Sequence, residues 1–503
     1  MARSLMIQGT GSGAGKSLIA AAFCRIFRDR GIAVAPFKAQ NMALNSYITA
    51  DGGEIGRAQA LQAEAARVPA TVDMNPILLK ASGEIGSQVI IRGKVLATMK
   101  AQEYYAFKKE AWKSVTSSFD TLSRDNDLIV IEGAGSPAEI NLMNVDVVNM
   151  AVARYAKAPV LLVGDIDKGG VFASLFGTVK LLGKESRYIR ALLINKFRGD
   201  LEILRPGLDM IRAKTGKPVI GVLPYIHNIG LPEEDGLALQ RQGADQGRRH
   251  ADIKVVIVRL RYISNFTDFD PLLYEPDVEM VYSSSPADIE NADLVIIPGS
   301  KNTVKDLLLL RERGLDRSIR RAAAKGVQVM GMCGGYQMLG RTIADPHGIE
   351  SPHATVDGLG LLDIETVFER TKTTCRSEAE IADSSWSAAR GDAYSSVPLQ
   401  GYEIHMGESR GDIGLFRIRR SSGSAPVLDG SRKESCWGTY LHGIFDNDSF
   451  RRDILDCIRV RKGLGPLGAV YSFSEVKDKA LDALAGVVRE HVDMDFVNKV
   501  AGL

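Results

Sequence analysis

The sequence predicts an α/β protein built from two doubly wound, mostly parallel sheets, one in each half of the chain. Three observations carry that prediction. Short apolar runs alternate with amphipathic stretches from the first residues, the pattern of strands separated by helices. A glycine-rich loop follows the first run, and a cysteine between glycines follows a run in the second half. Between the two series the apolar pattern lapses, over residues 233–252, where Gly, Gln, Asp and Arg dominate.

The 503 residues suit two or three domains, and 45% hydrophobic with 25% charged residues is a globular balance. Sixty-three basic and 61 acidic residues leave a net charge of +2, so neither nucleic acid nor an anionic membrane is indicated as a partner. Five scattered cysteines show no metal-type spacing and suit a reducing compartment. No apolar stretch is long enough to span a bilayer, and no signal peptide is evident before the glycine loop. A soluble cytoplasmic protein is expected.

In chain order, residues 5–8 read as a strand, 17–30 as a helix stopped by Gly31, and 32–37 as the next strand. Strands are expected at 127–131, 159–163, 191–194 and 218–223, then at 253–260, 278–282, 294–297 and 327–332. Residues 384–396 read as a polar loop and 474–503 as an amphipathic helix. The expected boundaries are 1–235 for a first domain, 236–251 for a linker, 252–455 for a second domain and 456–503 for a helical extension.

The first loop runs Gly9-Thr10-Gly11-Ser12-Gly13-Ala14-Gly15-Lys16-Ser17. Its glycines let backbone N–H groups close around phosphate oxygens, and the helix that follows adds its positive end. Gly9, Thr10, Gly13, Gly15, Lys16 and Ser17 are therefore the candidate ATP-binding residues, with Lys16 reaching the β/γ-phosphates and Ser17 on Mg²⁺. The usual phosphate-loop pattern has a glycine where Thr10 stands. The strand at 127–131 ends in Glu132-Gly133-Ala134-Gly135, which puts a carboxylate at the ligand crevice. Glu132, with Ser17 and Asp51, forms a candidate Mg²⁺ set. Asn195, at another strand end, is a candidate adenine contact. Asp165, Asp167 and Lys168, and the amides Gln40, Asn41 and Asn45, lie in polar patches suited to holding substrate.

In the second half, Gly331-Met332-Cys333-Gly334-Gly335 reads as a nucleophile elbow, where close backbone approach demands glycine on both sides of Cys333. The helix start beyond Cys333 favours its thiolate, and the Gly334 N–H can stabilise an oxyanion, as can backbone around Gly299. A thiol nucleophile needs a base. His442, in Tyr440-Leu441-His442-Gly443, is the choice, and His405 is the rival; spacing does not decide between them.

Residues Gly331 to Gln337 with His442 resemble the class I glutamine amidotransferases. The first half resembles the dethiobiotin synthetase group of phosphate-loop proteins, which shares the displaced Gly9. The two in this order resemble the cobyrinate amidating enzymes, as do Lys38 to Ser46, Gly164 to Phe172 and Gly401 to Gly407. Most class I members carry a glutamate two residues after the base; here that residue is Ile444, and the cobyrinate branch also lacks it. The resemblance implies a Cys333–His442 glutaminase in which Gly299, Gly334 and Gln337 serve the oxyanion and glutamine. It further implies ATP, Mg²⁺ and glutamine as requirements, and a corrinoid as substrate. The reaction implied is amidation of the b, d, e and g carboxylates of adenosylcobyrinic acid a,c-diamide, giving adenosylcobyric acid in cobalamin biosynthesis. A sister ligase making the a,c-diamide, and an ATP-binding switch with an inactive cysteine domain, are the alternatives.

Overall fold

The structure, a computed structural model, describes residues 2–81, 86–226, 230–231, 251–383, 398–421, 423 and 425–503. The expected loop at 384–396 and the linker, apart from residue 251, lie outside the described residues.

The first half is built on six parallel strands, β1 (Arg3–Gly9), β2 (Val34–Phe37), β3 (Leu128–Glu132), β4 (Val160–Asp165), β5 (Ile189–Phe197) and β6 (Val219–Pro224). Their order across the sheet is β6-β5-β4-β1-β3-β2. Most of these strands contain runs of buried apolar residues without alternation, as a sheet covered on both faces requires. Chain progression reverses direction at β1, so the crevice above its C-terminal end is the expected ligand site, and the glycine loop opens there into α1 (Lys16–Asp29).

The second half repeats the plan with β7 (Ile253–Val258), β8 (Val278–Ser283), β9 (Leu294–Ile297) and β10 (Gln328–Met332), completed by β13 (Ser431–Lys433) and β14 (Cys436–Thr439). The order is β8-β7-β9-β10-β14-β13, antiparallel only at the β13 edge. A separate antiparallel sheet is dominated by the long pair β11 (Ile364–Ile381) and β12 (Leu399–Gly411), with β15 (Leu441–His442) beside β12. This pair reaches the first half, where Arg376 Nε donates to the Ile48 carbonyl at 2.9 Å.

The expected single helix at 474–503 is two, α2 (Phe473–His491) and α3 (Met494–Ala501). The break falls at Val492, whose backbone pairs with Gly221 of β6, and Asp493 then caps α3 by accepting from Phe496 N at 2.9 Å. A residue bridged to a strand cannot continue a helical ladder. Leu481, Leu484 and Val488 of α2 share a core with Phe23 and Phe27 of α1. Arg25 on α1, fully buried, reaches Asp478 at 2.5 Å and Asp482 at 3.2 Å on α2. The chain's end thus folds back onto its beginning. Among the described residues, no helix is long and apolar enough to cross a membrane.

Candidate active sites

The glycine loop is braced from inside. Gly13 and Gly15 have φ of 71° and 95°, a region closed to side chains without strain, and a Cβ at Gly15 would lie 2.1 Å from Asn195 Nδ2. Lys16 Nζ donates to Gly11 O at 2.9 Å and Gly135 O at 3.2 Å, which holds the ammonium over the loop. Asn195 donates to Ala14 O at 2.9 Å, so its amide supports the loop backbone. Lys196, which the sequence reading gave no role, donates to Gly13 O at 2.6 Å and pairs with Asp165 at 2.8 Å. Lys168 Nζ lies 3.5 Å from Ser12 O, and Asp167 pairs with Arg198 at 3.0 Å. Thr10 N donates to Val163 O at 2.9 Å, which ties the loop to β4 just past Gly9.

Glu132 ends β3 with 1% exposure. Ser17 Oγ and Lys38 Nζ each lie 2.8 Å from its Oε1, while Gln59 and Gln62 donate to its Oε2 at 3.2 and 2.6 Å. Ser17 and Glu132 are therefore neighbours, and their oxygen donors suit a hard cation that takes its remaining ligands from phosphate and water. Asp51 is not part of this group; it accepts from Thr49 Oγ1 in an exposed turn. Among the described residues, no three acidic, His or Cys side chains converge as a metal site. The three candidate amides go separate ways. Asn41 donates to Gln59, which links it to Glu132; Gln40 accepts from Tyr104 OH; Asn45 faces the second half.

Cys333 sits after β10 at φ 51° and ψ −109°, a strained backbone that projects its side chain from the turn. A Cβ at Gly335 would meet Ile297 O at 1.9 Å, and one at Gly331 would meet Gly335 O at 2.6 Å. Both flanking positions therefore admit only glycine. A Cβ at Gly299 would come within 3.5 Å of His442 Cε1, and one at Gly334 within 3.0 Å of Ser300 N, so these backbones line the same corner. Gln337 is 2% exposed, with its amide engaged by Thr303 and Tyr440. The Cys333 thiol lies 3.5 Å from Ile404 O.

His442 is buried beside Cys333, and His405 is not its equivalent. His405 is bound to Gly407 O at 2.7 Å and stacks on Tyr440. His442 Nδ1 lies 2.6 Å from Asp268 Oδ2, and its ring stacks on Tyr402, whose hydroxyl donates to Asp268 Oδ1 at 3.2 Å. With Nδ1 bound to a carboxylate, Nε2 is the nitrogen left for the thiol. Burial pulls the His442 pKa down, but Asp268 and the Cys333 thiol outweigh it and carry it from 6.5 up to about 10.

Asp268 lies on a 3₁₀ helix, Phe266–Tyr274, that is held at both ends. At its start, Phe266 N donates to Asn45 Oδ1 and Ser46 N donates to Asn265 Oδ1, each at 3.1 Å, an exchange between the two halves. At its end, Glu275 is buried between Arg451 at 2.7 Å and Arg452 at 2.8 Å. Asp268 was absent from the sequence reading because it precedes the cysteine by 65 positions and no spacing rule links it to His442.

Comparison with known proteins agrees with this geometry. Residues 254–450 match the CobB/CobQ-like glutamine amidotransferase domain, and residues 5–239 match the CobQ/CobB/MinD/ParA nucleotide binding domain. Fold and sites therefore define a glutamine amidotransferase joined to a phosphate-loop nucleotide-binding half. The chain is 49% identical to the cobyric acid synthase of Thermodesulfovibrio yellowstonii over 100% of both chains, and 50% identical to that of Thermoanaerobacter sp. over 99% of both. With that of Sorangium cellulosum it shares 47% over 100% of this chain and 99% of the other. The chain belongs to the cobyric acid synthase family. It is an enzyme of glutamine-dependent amidation in cobalamin biosynthesis, with a corrinoid substrate and with ATP and glutamine implied by its two halves.

Proposed function

We propose that Cys333, His442 and Asp268 release ammonia from glutamine, and that the glycine-loop half uses it to amidate the b, d, e and g carboxylates of adenosylcobyrinic acid a,c-diamide. The observation that carries the reading is the 2.6 Å contact of His442 with Asp268 beside an elbow cysteine, in one chain with a lysine-bearing phosphate loop. The Cys333 sulfur attacks the carboxamide carbon while His442 takes the thiol proton and delivers it to the departing ammonia. The Gly334 N–H and the backbone at Gly299 receive the oxyanion. Water then cleaves the thioester, releasing glutamate.

In the other half, a substrate carboxylate attacks the γ-phosphate of ATP, and ammonia displaces phosphate from the acyl phosphate. Carboxylate oxygen is a poor leaving group and phosphate a good one. Lys16 offsets the charge that gathers on the moving phosphoryl group. Ser17 and Glu132 would hold Mg²⁺, which when bound neutralises phosphate charge. Asp165, Asp167 and Lys168 lie at the crevice mouth as candidate corrinoid contacts. Domain limits of 1–235, 236–251, 252–455 and 456–503 go with this reading. So does a cytoplasmic location, supported by five free thiols.

Mass spectrometry of the corrinoid after incubation with glutamine, ATP and Mg²⁺ tests the proposal. Four successive conversions of carboxyl to amide are expected. Fewer than four, or acceptance of cobyrinic acid without its a,c-amides, would assign the chain to a sister reaction.

A further inference from the structure

The halves meet in a layer of charge that the chemistry above does not use. Glu54, on a short strand of the first half, is 1% exposed. It pairs with Lys80 of the same half and, at 2.6 Å, with Lys372 of β11 in the other. Ser46 Oγ donates to Glu54 at 2.7 Å, and Lys372 also donates to Gln88 at 3.2 Å. Lys301, two residues beyond Gly299, faces the same group. Burial and the charges of Lys80 and Lys372 push it well below the usual lysine range. Three lysines thus converge on one carboxylate. Burying such a set stabilises little, because desolvation offsets the attraction. Its location is what calls for an explanation.

On one side lies the nucleophile. Lys372 adjoins Thr373 and Thr374 of β11, which pair with His405 and Ile404, and the Ile404 carbonyl faces the Cys333 thiol. The charge of Cys333 acts on Lys372 directly. On the other side, the Glu54–Gly56 strand runs straight into the helix Arg57–Ala65, whose Gln59 and Gln62 hold Glu132 next to Ser17. The cluster therefore stands between the thiol and the carboxylate of the phosphate-loop site.

We infer that Glu54, Lys80, Lys301 and Lys372 form the gate for nitrogen transfer, whose excess positive charge turns back ammonium and passes neutral ammonia toward the amidating half. The inference rests on the two-site reading above. A neutral molecule crosses a cationic layer without Coulombic cost, whereas ammonium meets like charge in a medium of low dielectric. Glu54 does not reprotonate the passing ammonia. Burial raises its pKa, but Lys372 and Lys80 hold it well below the carboxylate range.

The test is the ratio of amide formed to glutamate released by the full chain, with glutamine, ATP and adenosylcobyrinic acid a,c-diamide. Lys372→Met is expected to lower that ratio at least about twofold, with free ammonia appearing in the medium, while amidation driven by ammonium chloride is retained. Lys372→Arg, which keeps the charge, is expected to hold the ratio. Lys80→Met is the second variant should Lys372→Met fail to fold. A ratio unchanged in Met variants, or Met and Arg behaving alike, overturns the gate. Loss of the ammonium-driven reaction overturns it too, since the cluster would then belong to the amidating site. A wild-type chain that releases no glutamate would instead fail the two-site reading.

Discussion

His442 Nδ1 and Asp268 Oδ2 stand 2.6 Å apart although 174 residues separate them. The carboxylate comes from the turn after β7, whereas Ile444 fills the position where most class I amidotransferases carry theirs. Asp268→Asn keeps the shape but removes the charge that fixes the tautomer and supports the imidazolium. Glutamine hydrolysis is expected to fall by roughly 100-fold or more, with ammonium-driven amidation unchanged. Glutamate release and corrinoid amidation, assayed separately on the same sample, check it. Equal loss of both would remove Asp268 from the catalytic group.

The same pair has a pH signature. His442 is raised from 6.5 to about 10 in the folded protein, because Asp268 and the thiol outweigh burial. A raised pKa contributes stability that is complete below the unfolded value of 6.5, shrinks as pH rises, and is gone beyond the folded value. The Tm of the parent chain should therefore exceed that of Asp268→Asn most at pH about 6, with the gap closing toward pH about 10. A gap that widened with pH would show that the imidazole is neutral in the resting enzyme.

Much of the first site was legible because its chemistry is local. A strand, a glycine loop and a helix are contiguous in sequence, so Lys16 and Ser17 could be named from spacing, and the elbow at Cys333 is equally compact. What escaped depends on pairing across long stretches of chain. Asp268 meets His442 only once the sheet is built. Asn45, grouped with Gln40 and Asn41 by proximity in sequence, turns to the opposite half because strand residues alternate faces. The antiparallel pair β11 and β12 carries charged residues along its exposed face and gave no strand signal strong enough to read. The amphipathic pattern at 474–503 announced a buried face, but not that the surface it covers is α1.

Gly335 supplies a stability test of the elbow. The Cβ of an alanine there would lie 1.9 Å from Ile297 O, and the obstacle is backbone of the sheet, which cannot rotate aside. Gly335→Ala is expected to cost about 3 kcal/mol or more and to abolish glutamine hydrolysis. Gly326→Ala, at a left-handed turn with open space around it, should cost only about 1 kcal/mol and leave activity intact. Denaturant unfolding of both variants compares them. Similar losses would mean that strain at positive φ, rather than contact, sets the cost.

Two substitutions separate the halves. Lys16 Nζ is held over the loop by Gly11 O and Gly135 O, where a γ-phosphate would replace those partners. Lys16→Ala removes the charge needed only while phosphoryl transfer proceeds, so amidation should fall by about 100-fold or more with glutamine or with ammonium as nitrogen source. Cys333→Ala should do the reverse, ending glutamine use while amidation from ammonium persists. ATP-dependent product formation with each nitrogen source gives four rates. Were Cys333→Ala to lose the ammonium reaction in a folded chain, the two chemistries would share one site, and the arrangement of His442, Asp268 and the phosphate loop in separate halves would need another explanation.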